Sequence, residues 1–346
     1  MSAHSGRVRL RWTTDIHLDH LGDTEKRAFG SVLSSDLSDT DLVVVTGDIS
    51  TSRALVNDLA TMTGRASADG SGPRLAFVLG NHDHYGGTIA QTRTTAASVH
   101  AEPGWLDQAD GVQLDERTAL VGVGGWGDTR LGDPLTQVMM TDHFVIEDLA
   151  QAAADGGAII GGRWGADRSS LYKVLQALAD ADAKRLHEQL AATIGFGTST
   201  TTRVVIATHV PPWPAANIAA RRRADNETLP FYVSTATGRV IEQWADAHPE
   251  VRFAVLCGHI HAAGVTTPRP NVVCRTGYSQ YGRPGICGTF DLDTEDLFTP
   301  TWPHHAVRVA TGAECVGCGQ MLYRRDDYVF CPAGCNQTTT TGGDDD

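Results

Sequence analysis

Short apolar runs that break off into polar residues recur along this chain. Residues 8–14 read as a strand, with Asp15-Ile16-His17 just past it. Residues 41–46 hold a continuous Leu-Val-Val-Val run, as in a strand covered on both faces, and end in Gly47-Asp48. Residues 75–79 are apolar and pass into Gly80-Asn81-His82-Asp83, where Gly80 permits a tight turn and close approach of a ligand. Residues 203–208 stop at His209, followed by Pro211-Pro212-Trp213-Pro214. Residues 253–257 stop at Gly258-His259-Ile260-His261.

Between these runs the pattern turns helical. Apolar residues at 171, 174, 175, 178, 186, 190 and 194 follow a period of about 3.6 and predict a helix over 167–194. Asp167 or Ser169 suits its N-cap, and Gly195 suits its stop. Looser helical patterns cover 22–37, 53–61, 88–100 and 238–248; the threonines at 92, 94 and 95 weaken the third. Residues 111–125 read as a hairpin, and shorter strands are expected near 265, 272–275 and 288–292. Residues 129–166 follow no single period. They contain a short helical stretch at 145–154 and a glycine-rich segment at 156–165, and are expected to form an insertion or cap near the site. The whole predicts a layered α/β domain with two sheets face to face.

Composition narrows the class. The chain has 346 residues, 41% hydrophobic and 20% charged, as in a globular protein with one large core or two domains. A formal net charge of −13 argues against non-specific nucleic-acid binding. No run reaches the ~18 apolar residues of a membrane span, so no membrane partner is expected. The first residues, MSAHSGRVRLRW, lack a secretory apolar region, so a cytoplasmic location is expected. Three of the seven cysteines, Cys257, Cys274 and Cys287, are scattered and read as small core residues. The other four, Cys315-x2-Cys318 and Cys331-x3-Cys335, crowd together as structural zinc ligands do. Residues 311–336 are therefore expected to be a zinc-ribbon-like module holding one structural Zn²⁺, with the metal supplying most of its folding energy. The ribbon is a candidate contact for protein or nucleic acid. Residues 337–346 are expected to be a disordered tail.

The chemistry lies at the strand ends. Asp15, His17, Asp48, Asn81, His82, His209, His259 and His261 each follow an apolar run within a few residues. If the runs are neighbours in a sheet, these groups converge on one edge, where α/β sheets carry their sites. Carboxylate, amide and imidazole together suit Mn, Fe or Zn. They are too many for one ion, and two ions about 3.5–4 Å apart sharing a carboxylate use such a set well.

In sequence order the motifs Asp15-Ile-His17, Gly47-Asp48, Gly80-Asn-His-Asp83, His209 and Gly258-His-Ile-His261 resemble those of the calcineurin-like metallophosphoesterase superfamily. The resemblance covers roughly residues 8–292, and Ile260, where many members have Thr, is the one departure. It implies a four-layer α-β-β-α sandwich over residues 1–310, with the ribbon appended. It also implies hydrolysis of a phosphate ester, mono- or diester, by a metal-bridging hydroxide. Asp15, His17, Asp48 and His261 would hold one metal, and Asp48, Asn81, His209 and His259 the other, with Asp48 bridging. His82 would be the general acid, supported from behind by Asp83. The competing class is a ribbon-directed binding or regulatory protein whose phosphoesterase-like domain senses a phosphorylated ligand; no metal motif is lost to favour it.

Other residues carry weaker expectations. Asp19, His20 and His84 are assigned to second-sphere or solvated positions, and His143, His304 and His305 to the surface. Trp126, Trp164, Trp213, Phe231 and Tyr85 suit either a substrate wall or core packing. Arg221-Arg222-Arg223 reads as a solvated helix face.

Overall fold

Alternation along the strands decides how this molecule is layered. The structure, a computed structural model, describes residues 8–63, 73–99, 101, 103–165, 167–195, 200–219, 226–301, 323–325 and 328–330. In chain order its main elements are β1 (Arg9–Thr13), α1 (Asp23–Ser34), β2 (Leu42–Thr46), α2 (Leu55–Thr63), β3 (Arg74–Val78), α3 (Ile89–Ala97), β4 (Pro103–Trp105), β5 (Val112–Gln113) and β6 (Thr118–Gly122). Then come α4 (Asp142–Val145), α5 (Glu147–Asp155), β7 (Ile159–Ile160), β8 (Arg163–Trp164), α6 (Ser169–Ile194), β9 (Arg203–Ala207), α7 (Pro214–Ala219), α8 (Leu229–Tyr232) and α9 (Thr235–Ala247). The strands β10 (Arg252–Cys257), β11 (Gly264–Arg269), β12 (Val272–Thr276), β13 (Gly288–Asp291), β14 (Tyr323–Arg325) and β15 (Tyr328–Phe330) follow.

One sheet has the order β13-β1-β2-β3-β4, parallel except for β13. The other has the order β11-β12-β10-β9-β6-β5, with antiparallel strands β11 and β5 at its edges. Leu10, Trp12, Leu42 and Val44 from the first sheet share one buried cluster with Val205, Ala207, Ala254 and Leu256 from the second. The intervening residues of the same strands point the other way. Val43 and Val45 meet Phe29, Leu33, Leu55 and Leu59 of α1 and α2. Val204, Ile206, Phe253 and Val255 meet Leu186, Leu190 and Ile241 of α6 and α9. Every residue of β2 is buried, which is why its sequence reads as an unbroken apolar run.

Helix α6 has two jobs. Its C-terminal half covers the second sheet, while Leu171, Leu175 and Ala179 of its N-terminal half pack against Ile146, Leu149 and Phe231. Residues 129–165 are thus docked on the far end of α6, the longest helix among the described residues. Within this segment, α5 matches the short helical stretch expected there. The glycine-rich part forms the β7–β8 hairpin, turning at Gly161 and Gly162, both at positive φ. The helix expected at 88–100 forms as α3 despite its interior threonines, with Thr88 as its N-cap, where the side chain accepts from the Gln91 N–H. Strand β4 is only three residues long and gave no periodic signal. No helix among the described residues is long and apolar enough to cross a membrane.

Strands β14 and β15 pair as a small antiparallel hairpin between the two cysteine pairs. Cys315, Cys318, Cys331, Cys335, His304, His305, residues 337–346 and Arg221-Arg222-Arg223 lie outside the described residues. Cys257, Cys274 and Cys287 are buried and free.

Candidate metal centre

Five parallel strands, β1, β2 and β3 in one sheet and β9 and β10 in the other, end at one place. Backbone bonds fasten the loops there. The Asp15 N–H donates to the Gly47 carbonyl at 3.0 Å, His17 N–H to Asp48 at 3.0 Å, and Gly258 N–H to His209 at 2.9 Å. Asp15, His17, Asp48, His259 and His261 all adopt positive φ. They are five of the seven non-glycine residues that do so among those described, so the left-handed turns are concentrated at the site. Side chains are excluded where loops cross. A Cβ on Gly80 would sit 2.2 Å from an Asp48 carboxylate oxygen, and one on Gly258 2.1 Å from an Asp15 oxygen.

The donor atoms fall into two sets. Asp15, His17, Asp48 and His261 offer one atom each, all within 4.8 Å of one another. His17 Nε2 lies 3.2 Å from His261 Nε2 and 3.8 Å from Asp48 Oδ2, and His261 Nε2 lies 3.2 Å from Asp15 Oδ1. In the second set, Asn81 Oδ1 lies 3.0 Å from His209 Nε2 and 3.1 Å from His259 Nδ1, and His209 Nε2 is 3.3 Å from Asp48 Oδ1. The two oxygens of Asp48 therefore face different sets.

The second set fits a cation on hydrogen-bond grounds alone. The remaining nitrogen of His209 faces the Thr46 carbonyl at 2.9 Å, and that of His259 faces the Phe231 carbonyl at 3.1 Å. A neutral imidazole has one N–H. Each ring thus stands between two acceptor oxygens, and one contact per ring is lone pair against lone pair unless a proton or a cation fills the gap. The amide cannot relieve this by flipping, because Asn81 Nδ2 donates to Asp142 Oδ1 at 2.9 Å. In the first set, two imidazole nitrogens confront one another and His17 Nδ1 is buried without a hydrogen-bond partner. Both donor sets suit a Mn-, Fe- or Zn-type ion.

The electrostatics agree. Burial lowers the His209 imidazole, but the Asp48 and Asp15 charges outweigh it and push it up to about 10. Burial raises Asp48, but His209 and its neighbours hold its carboxyl well below the usual range. The site demands positive charge. At His259 and His17 burial, with the neighbouring imidazoles, outweighs the raising effect of Asp48 and Asp15: His259 is pushed down to about 3 and His17 to about 4.

The remaining expected residues fall into place around this core. The backbone N–H of His82 donates to Asp48 Oδ1 at 2.8 Å, and its ring, one-fifth exposed, stacks on Tyr85 at 4.1 Å. Asp83 is buried, but its carboxylate accepts from the backbone N–H groups of Ile49, Ser50 and Gly80, each at 2.8 Å. It fastens the Asp48 loop to the Asn81 loop, a different task from supporting the His82 ring. His143 is not on the surface: it is buried against Phe231 and Trp164, and burial pushes it down to about 4. His84 is likewise buried. Trp126, Trp213 and Phe231 are core residues, while Tyr85 and Trp164 are half-buried.

Two residues beside the site were not anticipated. Tyr281, half exposed, lays its ring 4.4 Å from His17 and 5.0 Å from His261. Asp142, from α4, accepts from both Asn81 and the Tyr85 hydroxyl, the latter at 2.6 Å. Neither carries a sequence signal, since each is one polar residue in an aperiodic loop.

No protein-family model and no curated protein matches this chain. Several solved structures are similar to this chain at low identity and low TM-score. A dimetal phosphatase from Danio rerio is 14% identical, with 81% of this chain and 91% of that one aligned and a TM-score of 0.41. The 5'-nucleotidase from Candida albicans is 12% identical over 85% of this chain, which spans about half (49%) of that protein, with a TM-score of 0.36. The calcineurin-like phosphoesterase YfkN from Bacillus subtilis is 11% identical over 81% of this chain and 84% of that one, also at 0.36. At such identities and scores, the chemistry has to be read from the site itself.

Proposed function

We propose that this chain is a two-metal phosphoester hydrolase. The observation that carries the reading is Asp48, whose two oxygens face two separate donor sets, one of them closed by an amide oxygen between two imidazole nitrogens. Asp15, His17, Asp48 and His261 would hold one ion, and Asp48, Asn81, His209 and His259 the other. Two such ions supply an activated water and neutralise the charge of a phosphoryl group. The chain's own contribution is placement. The Thr46 and Phe231 carbonyls orient the rings of His209 and His259, and Asp83 ties two ligand loops together. His82, partly exposed, stacked on Tyr85 and edge-on to His17 at 4.6 Å, is the group that would protonate the leaving oxygen.

The same reading takes residues 1–310 as one α-β-β-α domain. Three buried clusters support it, one between the sheets and one on the outer face of each. Residues 311–336 are read as an appended zinc ribbon with ligands Cys315, Cys318, Cys331 and Cys335, in a cytoplasmic protein. Removing residues 312–346 is expected to release one Zn²⁺ per chain and leave activity on a small ester intact. A folded but inactive truncation would contradict that division.

The deciding experiment is turnover of p-nitrophenyl phosphate and bis-p-nitrophenyl phosphate with Mn²⁺, Fe²⁺ or Zn²⁺. Hydrolysis that a chelator abolishes and added metal restores is expected on at least one ester. A protein that binds two metals and hydrolyses neither would be a sensor, not an enzyme.

A further inference from the structure

The 129–165 segment brings one carboxylate, Asp142, against the Asn81 side chain. We infer that Asp142 is a positioning residue for the metal centre, holding the Asn81 amide so that oxygen, and not nitrogen, faces the ion. This rests on the two-metal reading above.

An amide side chain is nearly symmetric in shape, so packing alone scarcely distinguishes its oxygen from its nitrogen. A carboxylate does distinguish them, because it only accepts. Asp142 Oδ1 stands 2.9 Å from Asn81 Nδ2, and in this orientation Asn81 Oδ1 meets His209 and His259 at 3.0 and 3.1 Å. The reversed amide would set two carbonyl-type oxygens against each other at Asp142 and point an NH₂ at the cation. The charge on Asp142 also polarises the amide and makes its oxygen a better ligand, as outer-shell carboxylates do for ligating groups. The same Oδ1 accepts from Tyr85, whose ring carries His82. One buried oxygen therefore steadies a ligand and the platform beneath the proposed acid.

Asp142 is not needed to dock the insert. The Gly86 N–H donates to the Val145 carbonyl at 2.9 Å, the Glu147 N–H to Gly87 at 3.1 Å, and the Ile89 N–H to Asp148 Oδ2 at 2.7 Å. Ile146 and Leu149 are fully buried against Leu171 and Leu175. The carboxylate is thus separable from the fold that presents it.

The test is a calorimetric Mn²⁺ titration of the full chain, with thermal melting of the metal-free protein alongside. Asp142→Ala is expected to weaken one of the two Mn²⁺ sites by about 10–100-fold, the usual worth of an outer-shell partner, and to spare the other. Asp142→Asn, which keeps an acceptor oxygen without the charge, should fall between. In an Asn81→Asp background the ligand presents oxygen whichever way it turns, so adding Asp142→Ala should no longer weaken Mn²⁺ and should tighten it by removing a like charge. Equal weakening of both sites, the same loss in both backgrounds, or no loss would each overturn the inference. If Asp142→Ala fails to melt cooperatively, Asp142→Asn in the two backgrounds gives the same comparison. A parent chain that does not bind two Mn²⁺ would remove the underlying reading; a parent that binds two, with an unaffected Asp142→Ala, would remove only this inference.

Discussion

The two donor sets are built differently. In the Asn81–His209–His259 set, every ligand has its far side fixed: two rings on backbone carbonyls and the amide on Asp142. In the Asp15–His17–His261 set, Asp15 is fixed by the His259 N–H and the Thr14 hydroxyl, but His17 Nδ1 has no hydrogen-bond partner and the His261 side chain is 15% exposed. The ring of Tyr281, itself half exposed, lies against His17 and His261. Ligands held from behind lose little freedom on metallation, so preorganisation favours the Asn81–His209–His259 set. The contrast teaches that one ion should be resident and the other exchangeable, although the ligand types are nearly the same.

The shared residue gives the largest test. Asp48→Ala removes the anion between both sets, and two close cations then repel. Activity should fall by on the order of 10³-fold or more, since each ion supplies several kcal/mol of charge stabilisation. Metal analysis of the purified variant should show both ions depleted. Parent-level occupancy would remove Asp48 from its bridging role and dissolve the distinction between the sets.

Next comes His82, which belongs to neither set. His82→Ala should retain both metals, lose about 10²–10⁴-fold on alkyl phosphate esters, and lose clearly less on p-nitrophenyl esters, whose phenolate departs unaided. Rates on both esters at saturating metal decide it. Equal losses, or a missing ion, would make His82 a structural member of the centre.

The asymmetry itself is the smallest effect. On dilution into chelator, the ion of the Asp15–His17–His261 set should leave first, with an affinity gap of about tenfold or more from the missing outer-shell bonds. His261→Ala should abolish the faster phase of release, and His259→Ala the slower. The opposite assignment of phases would invert the comparison.

Much of this was legible in the sequence because buried parallel strands impose a strict grammar. Leu42–Val45 of β2 and Phe253–Cys257 of β10 are unbroken apolar runs, and the candidate donor residues follow within a few positions. The same physics hid the rest. Asp142 and Tyr281 act through tertiary contacts from irregular segments, where no period marks which polar residue turns inward. His143 looked solvated because its companions, Phe231 and Trp164, are distant in sequence. Asp83 was assigned to its chain neighbour His82, yet its carboxylate serves backbone groups that include Ile49 and Ser50, one strand away.

Phe231 links the candidate centre to the packing beneath it. Its carbonyl receives His259, while its ring sits among His143, Trp164 and Tyr172 of the insert and α6. A substitution that repacks this buried aromatic cluster also moves the peptide unit that faces His259. Repacking at a distance from the centre is therefore expected to alter the metal preference proposed for it.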